Sequence, residues 1–277
     1  MVFYCATVSL SAERIAGHII PEKPAGIKNQ CKAQEKERRP AGKAAIAPNH
    51  FKKRTFFHSL RRGGGRAVAD YAIAALCFAV MTGLYLRYMA EKYRTDRNKK
   101  RELALKGGAT LTAAALAGYG FAMNPTACRG MLLAGLCVCA VADVVLDLHF
   151  LAGTASFALG HLCYCTAYLL EKTPGWGSLA VFFPLCGVIA FLYPRLKRHA
   201  APDSALPYLG YALLISAMLA LVLPQRPLLL AGALLFVLSD AMLLTRIVRK
   251  ISSKKYNYLC LGTYFLAQFL IAASAAL

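Results

Sequence analysis

Acidic and polar side chains stand inside apolar sequence at two separated places in this chain. Asp143 and Asp147 sit in the run MLLAGLCVCAVADVVLD (131–147), and His161 and Tyr164 sit in the run that continues to Leu170. Far downstream, Asp240 ends the stretch LLAGALLFVLSD (229–240), and Tyr264 and Gln268 lie in the last apolar run. A charge placed in hydrocarbon is costly, so such residues face a bundle interior, a cavity or a partner and mark function by default. The chemistry they offer is proton transfer between carboxylates, with hydroxyl, imidazole and amide groups to orient it. Spacing supports a shared site. His161 and Tyr164 are three residues apart and Tyr264 and Gln268 four, so each pair occupies one helix face.

The elements that must carry these residues are membrane helices. The chain has 277 residues, is 58% hydrophobic and has a mean hydropathy of +0.47. That profile excludes an ordinary soluble domain of this length. Eight apolar segments are expected, at 67–89, 103–123, 130–147, 150–170, 176–193, 206–223, 228–245 and 257–277, with Pro125, Pro174, Pro194, Pro202, Pro224 and Pro227 in or beside the connections. The fold class is all-α, a multi-pass bundle. The net charge of +20 is not a nucleic-acid signature, because +10 of it lies in residues 1–66 and most of the rest in short loops. Residues 1–66 read as a disordered basic extension without the apolar core of a cleaved signal peptide. Basic loops after segments 1, 5 and 7 place the odd-numbered loops in the cytoplasm. The charge of the extension pulls the other way. The ten cysteines are scattered, and Cys137/Cys139 and Cys163/Cys165 point to opposite faces of their helices, poor geometry for a disulfide or a metal.

The two acid-bearing stretches are also related to each other. LLAGLCVCAVAD (132–143) resembles LLAGALLFVLSD (229–240), and four segments separate the copies. The copies therefore share one membrane orientation, as a parallel 4+4 repeat, and a pseudo-twofold along the membrane normal sets Asp143 opposite Asp240. At 1.5 Å per residue, Asp143 lies ~7 Å and Asp240 ~10 Å from the inner ends of their helices. His161, Tyr164, Tyr264 and Gln268 fall ~12–21 Å in, so one polar layer forms in that half. Asp147, at a helix end, is read as solvated by the interface. Gly107, Gly108, Gly135, Gly153, Gly160, Gly232 and Gly262 are read as close-packing points.

These residues also carry a resemblance. Phe150-x-x-Gly153-x-x-x-Phe157-x-x-x-His161-x-x-Tyr164 resembles the signature of the YhhN family of eight-helix membrane proteins. Ala142-Asp143, Ser239-Asp240 and Thr263-Tyr264-Phe265-Leu266-Ala267-Gln268 match three further motifs in order, and Lys106 matches a lysine at the start of the second helix. Ala142 replaces a glycine, Phe265 a tyrosine, and Arg246 stands where relatives often have asparagine. The match covers about 67–277. The family's vertebrate members are lysoplasmalogenases, so the resemblance implies hydrolysis of the vinyl-ether bond of a lysophospholipid to a fatty aldehyde and a glycerophospho-base. That reaction protonates the distal vinyl carbon and lets water attack an oxocarbenium ion. Two carboxylates in different surroundings suit it, as they do glycoside hydrolysis.

The expected roles follow. Asp143 and Asp240 are catalytic. Asp240, with no cation within a helical turn, is the proton donor; Asp143, supported by His161, orients water. His161, Tyr164, Tyr264, Gln268, Lys106 and Arg246 bind substrate, with Lys106 or Arg246 gripping the phosphate. No cofactor or metal is expected, and the partners are the lysophospholipid and membrane lipid. A simple packing role competes for His161, and interhelical hydrogen bonding competes for Tyr164, Tyr264 and Gln268. Two other classes compete for the whole chain. A proton-coupled transporter also suits repeats with buried acids, but it would not turn over solubilised substrate without a gradient. A metal hydrolase built on His161, Asp143 and Asp240 would contain stoichiometric metal.

Overall fold

The computed structural model of the chain describes residues 50–199 and 205–277. These residues form eight helices and, among them, no strand: α1 (His50–Lys92), α2 (Lys99–Met123), α3 (Ala127–Leu148), α4 (Phe150–Glu171), α5 (Trp176–His199), α6 (Ala205–Val222), α7 (Pro227–Val248) and α8 (Lys254–Ala276). Number and order match the expected segments. Helix α1 starts at His50, within the basic segment, but its membrane-compatible part starts at Arg66, close to the expected residue 67. The rest of the basic extension, and Pro202, lie outside the described residues.

Local chemistry sets the helix starts. Asn98, Thr126 and Ser253 each accept a hydrogen bond from the backbone N–H three residues on, satisfying an amide the helix cannot pair. Pro227 opens α7, where the missing donor is harmless. Pro194 departs from expectation. It lies inside α5, as does Pro184, and the helix runs five residues beyond it to His199. A proline in a helix interior removes one ladder hydrogen bond without forcing an end, and in membranes neighbours re-satisfy the freed carbonyl.

Six helices are long and apolar enough to cross a membrane: α1 from Arg66, α3, α4, α5 to Pro194, α7 to Ile247, and α8. The two that fall short do so for different reasons. The apolar part of α6 spans only Leu206–Val222. Helix α2 begins Lys-Lys-Arg-Glu and carries Lys106 and Thr110, but ten of its residues are buried, because it packs against both α3 and α8. A helix shielded by neighbours can hold polar groups that a lipid-facing one cannot.

Packing is tightest in the α3–α4 hairpin, whose helices are joined through His149 alone. Gly153 makes the turn feasible, since a Cβ there would run into the backbone of Leu146. Gly135 leaves room for the ring of Tyr164. Gly160 and Gly232 are also close-packed, whereas Gly108 and Gly262 have ordinary space around them. Helix α8 packs on α2, α3 and α7, α6 on α4, α5 and α7, and α5 chiefly on α6. Cys139 and Cys165 are buried, while Cys137 is exposed and Cys163 half-buried, as opposite helix faces require.

Candidate active site

The site is built where α2, α3 and α8 meet. Lys106 and Thr110 lie one helical turn apart on α2 and both reach Asp143 on α3. Asp143 is 1% exposed and Lys106 3%. The Lys106 ammonium donates to the backbone carbonyl of Asp143 at 3.1 Å and lies 3.7 Å from its Oδ1. It also meets Asp147 Oδ2 at 3.3 Å. The hydroxyl of Thr110 donates to Asp143 Oδ2, and the Tyr264 phenol donates to the same oxygen at 2.8 Å. Asp143 is thus held by one cation and two hydroxyls. Asp147 is not merely solvated at the interface, as expected from its place at a helix end. It is the second partner of Lys106, and its side chain is only 20% exposed.

Behind Tyr264 runs an ordered chain of donors. Tyr164 Oη donates to Gln268 Oε1 at 2.9 Å, and Gln268 Nε2 donates to Tyr264 Oη at 3.0 Å. Tyr264 in turn points its proton at Asp143. Three helices, α4, α8 and α3, are tied through this line, and all four residues are buried.

Asp240 on α7 is placed otherwise. The Tyr211 phenol, from α6, donates to its Oδ2 at 3.0 Å. No cation lies within ion-pairing distance of it among the described residues. Ser239, the neighbour of Asp240, fixes α7 on α8 by donating to the carbonyl of Cys260 at 3.0 Å. Asp143 and Asp240 open on one cavity of about 390 Å³. At the end of the bundle where α3 turns into α4, its walls carry Lys92, Lys106, Asp147, Arg246 and Asn257. Deeper in, they are apolar and aromatic, with Phe157, Val188, Ile215 and Val237.

Of the eight residues singled out in the sequence, Asp143, Asp240, Tyr264, Lys106 and Arg246 line this cavity. His161, Tyr164 and Gln268 are not among its lining residues. Tyr164 and Gln268 stand behind Tyr264, as described. His161 does not support Asp143. Its Nδ1 lies 2.7 Å from the carbonyl of Phe157 on its own helix, and its Nε2 has no hydrogen-bond partner. The ring packs edge-on against Phe236 and Tyr211 at 4.7 and 5.4 Å, an aromatic position rather than a charged one. Lys106 takes the supporting place expected of His161. Arg246 Nη1 donates to Asn257 Oδ1 at 2.7 Å. Among the described residues, no group of three His, Cys, Asp or Glu side chains comes together as a metal site would require.

Sequence reasoning missed Thr110, Tyr211, Lys92 and Asn257. Thr110 carried a usable signal, four residues after Lys106 and so on its face. Tyr211 carried none, since nothing in α6 points to α7.

The model of the YhhN family matches residues 102–275, from the first turn of α2 to the end of α8. The chain is 35% identical to human lysoplasmalogenase TMEM86B over 164 residues, covering 58% of this chain and 70% of that protein. It is 33% identical to the mouse protein of the same name over 161 residues, covering 56% and 68%. No solved structure matches.

Proposed function

The chain belongs to the YhhN family, and from that premise we propose that it is a membrane-embedded hydrolase that cleaves the vinyl-ether bond of lysoplasmalogen by acid–base catalysis between Asp240 and Asp143. The observation that carries the mechanism is the asymmetry of the two acids around one cavity: Asp143 has a lysine and two hydroxyl donors, Asp240 a single phenol. A carboxylate with a cation beside it is suited to act as base. A carboxyl group without one, in an apolar wall, is suited to deliver a proton.

In the proposed reaction, Asp240 gives its proton to the distal vinyl carbon, and positive charge develops on the carbon bearing the ether oxygen. Water attacks that carbon and loses a proton to Asp143, giving a hemiacetal. Collapse reverses both transfers. Asp240 takes the hemiacetal hydroxyl proton, Asp143 returns its proton to the departing glycerol oxygen, and the aldehyde and glycerophospho-base separate. Both aspartates end as they began. Phe157 and Tyr264, edge-on to one another at 5.9 Å, bring aromatic rings to the wall where the cation forms. Lys106 holds Asp143 in place, and Tyr164 and Gln268 fix the hydroxyl of Tyr264.

The helix pairing supports the parallel 4+4 reading. The α2–α3, α3–α4 and α2–α8 contacts correspond to α6–α7, α7–α8 and α6–α4 when each helix is advanced by four places. Tyr164 and Gln268, each fourteen residues after the first residue of its helix, bond to one another across the proposed axis. The basic residues of the 94–101 and 249–255 connections favour a cytoplasmic position for the mouth.

Turnover of detergent-solubilised protein on lysoplasmalogen, against the matching ester lysolipid, tests the proposal. Aldehyde should appear from the first and no fatty acid from the second, without any ion gradient. The rate should fall at low pH, where the base is protonated, and again at high pH, where the acid is lost. Fatty acid release from the ester, or a flat profile, would sink the mechanism.

A further inference from the structure

We infer that Lys92 and Arg246 form an anion-binding mouth that holds the phosphate of the lysolipid; the inference rests on the hydrolase reading for its ligand but on separate residues for its geometry. Of the three cations lining the cavity, Lys106 already faces two carboxylates. Among the described residues, Lys92 and Arg246 face none within ion-pairing distance. Lys92, at the last residue of α1, gives one hydrogen bond, to the Tyr88 hydroxyl at 2.7 Å. Its ammonium has two further donors. Arg246, in the last turn of α7, gives Nη1 to Asn257, which is 1% exposed. Asn257 is itself tied to the Tyr93 hydroxyl at 3.0 Å, so the guanidinium is steered from behind and keeps donors to offer.

The pairing inside the cavity points the same way: Asp143 and Asp147 both face Lys106, so the two cations at the mouth are left to face an anion such as a phosphate. Length agrees too. Arg246 lies six residues past Asp240, ~9 Å along the helix. That is close to the extended reach from the distal vinyl carbon, which takes the proton of Asp240 in the proposed reaction, to the phosphorus seven bonds away. Asp240 and Asp143 then meet the reacting bond, while Lys92 and Arg246 grip the head group.

Binding should be measured on the full-length protein in detergent, with three probes that the enzyme cannot cleave. These are a saturated 1-alkyl lysophospholipid, the corresponding 1-alkylglycerol and a glycerophospho-base without a chain. Lys92→Met and Arg246→Met should each weaken the lysophospholipid by ~10-fold or more, the scale of a lost charge-assisted hydrogen bond. The alkylglycerol should change by less than ~2-fold, within the noise of a distant substitution. In the wild type, raising salt should weaken the lysophospholipid and leave the alkylglycerol unaffected, which tests the idea even if a variant fails to fold. Equal losses on the two lipids, or no salt effect, would overturn it. A glycerophospho-base that binds as tightly as the lysolipid would overturn the assignment to a lipid head group. If wild-type protein shows this binding pattern but leaves vinyl ethers intact, the hydrolase reading falls and the anion mouth stands.

Discussion

Asp143 and Asp240 occupy matching places in two similar stretches, yet their surroundings have little in common. Asp143 is enclosed by α2 and α8 and receives Lys106, Thr110 and Tyr264. Among the described residues, Asp240 receives Tyr211 alone, and it keeps some exposure to the cavity. The α2 and α6 positions account for the difference. Where α2 presents a lysine and a threonine to its acid, α6 presents a tyrosine. Two similar stretches thus supply two acids to one cavity, and the neighbouring helix decides which is paired with charge. Where the two stretches agree they place an acid, and where the helices packed against them differ they set its chemistry.

The largest test of that comparison removes the acids themselves. Asp143→Asn and Asp240→Asn should each lower kcat by ~10²-fold or more while protein yield stays near wild type. The double variant should be little worse than either single, because groups that act as a unit do not contribute additively. A single variant that keeps half its activity, with chemistry limiting, would break the two-carboxylate mechanism.

The supports should then separate. Lys106→Met leaves Asp143 and Asp147 facing each other without their common cation. Breaking a buried ion pair on one side costs ~3–5 kcal/mol, so this variant should lose both melting temperature and activity. Tyr211→Phe removes one neutral hydrogen bond to Asp240, worth ~1 kcal/mol, so its melting temperature should barely move and its rate should fall by only ~10-fold. If the two variants proved equally damaging, the asymmetry between the halves would have no energetic meaning.

How far the sequence revealed this site depends on which kind of contact is considered. Helix number, order and the polar layer followed from hydropathy and spacing, because both are local properties. Asp143, Asp240 and Tyr264 were legible for the same reason. The partner of Asp143 was not. His161 and Lys106 both stand at reachable depth, and only the packing of α2 between α3 and α8 decides that Lys106 arrives and His161 turns toward Phe236. Tyr211 was invisible because the register of α6 against α7 leaves no mark in either helix. Pro194 misled because a proline reads as punctuation in soluble sequence, whereas a membrane helix tolerates it.

The smallest expected effects lie along the line Tyr164–Gln268–Tyr264, and their gradient sharpens the comparison further, since among the described residues Asp240 has no such line behind it. Tyr264→Phe deletes a hydroxyl that touches Asp143 directly and should lower kcat by ~10-fold with KM nearly unchanged. Gln268→Glu keeps an acceptor for Tyr164 but loses the donor that orients the Tyr264 hydroxyl, and should cost less. Tyr164→Phe keeps the ring that fills the space beside Gly135 and removes only the outermost donor, so a loss of ~2–3-fold is expected. Each step is one bond further from the reacting carboxylate, and orientation passed through hydrogen bonds weakens with each link. The readout is kcat measured against melting temperature for all three variants. A loss that grows toward Asp143 while stability stays level marks these residues as positioning groups. Losses that instead follow stability, with Tyr164→Phe as harmful as Tyr264→Phe, would show the line to be helix packing and nothing more.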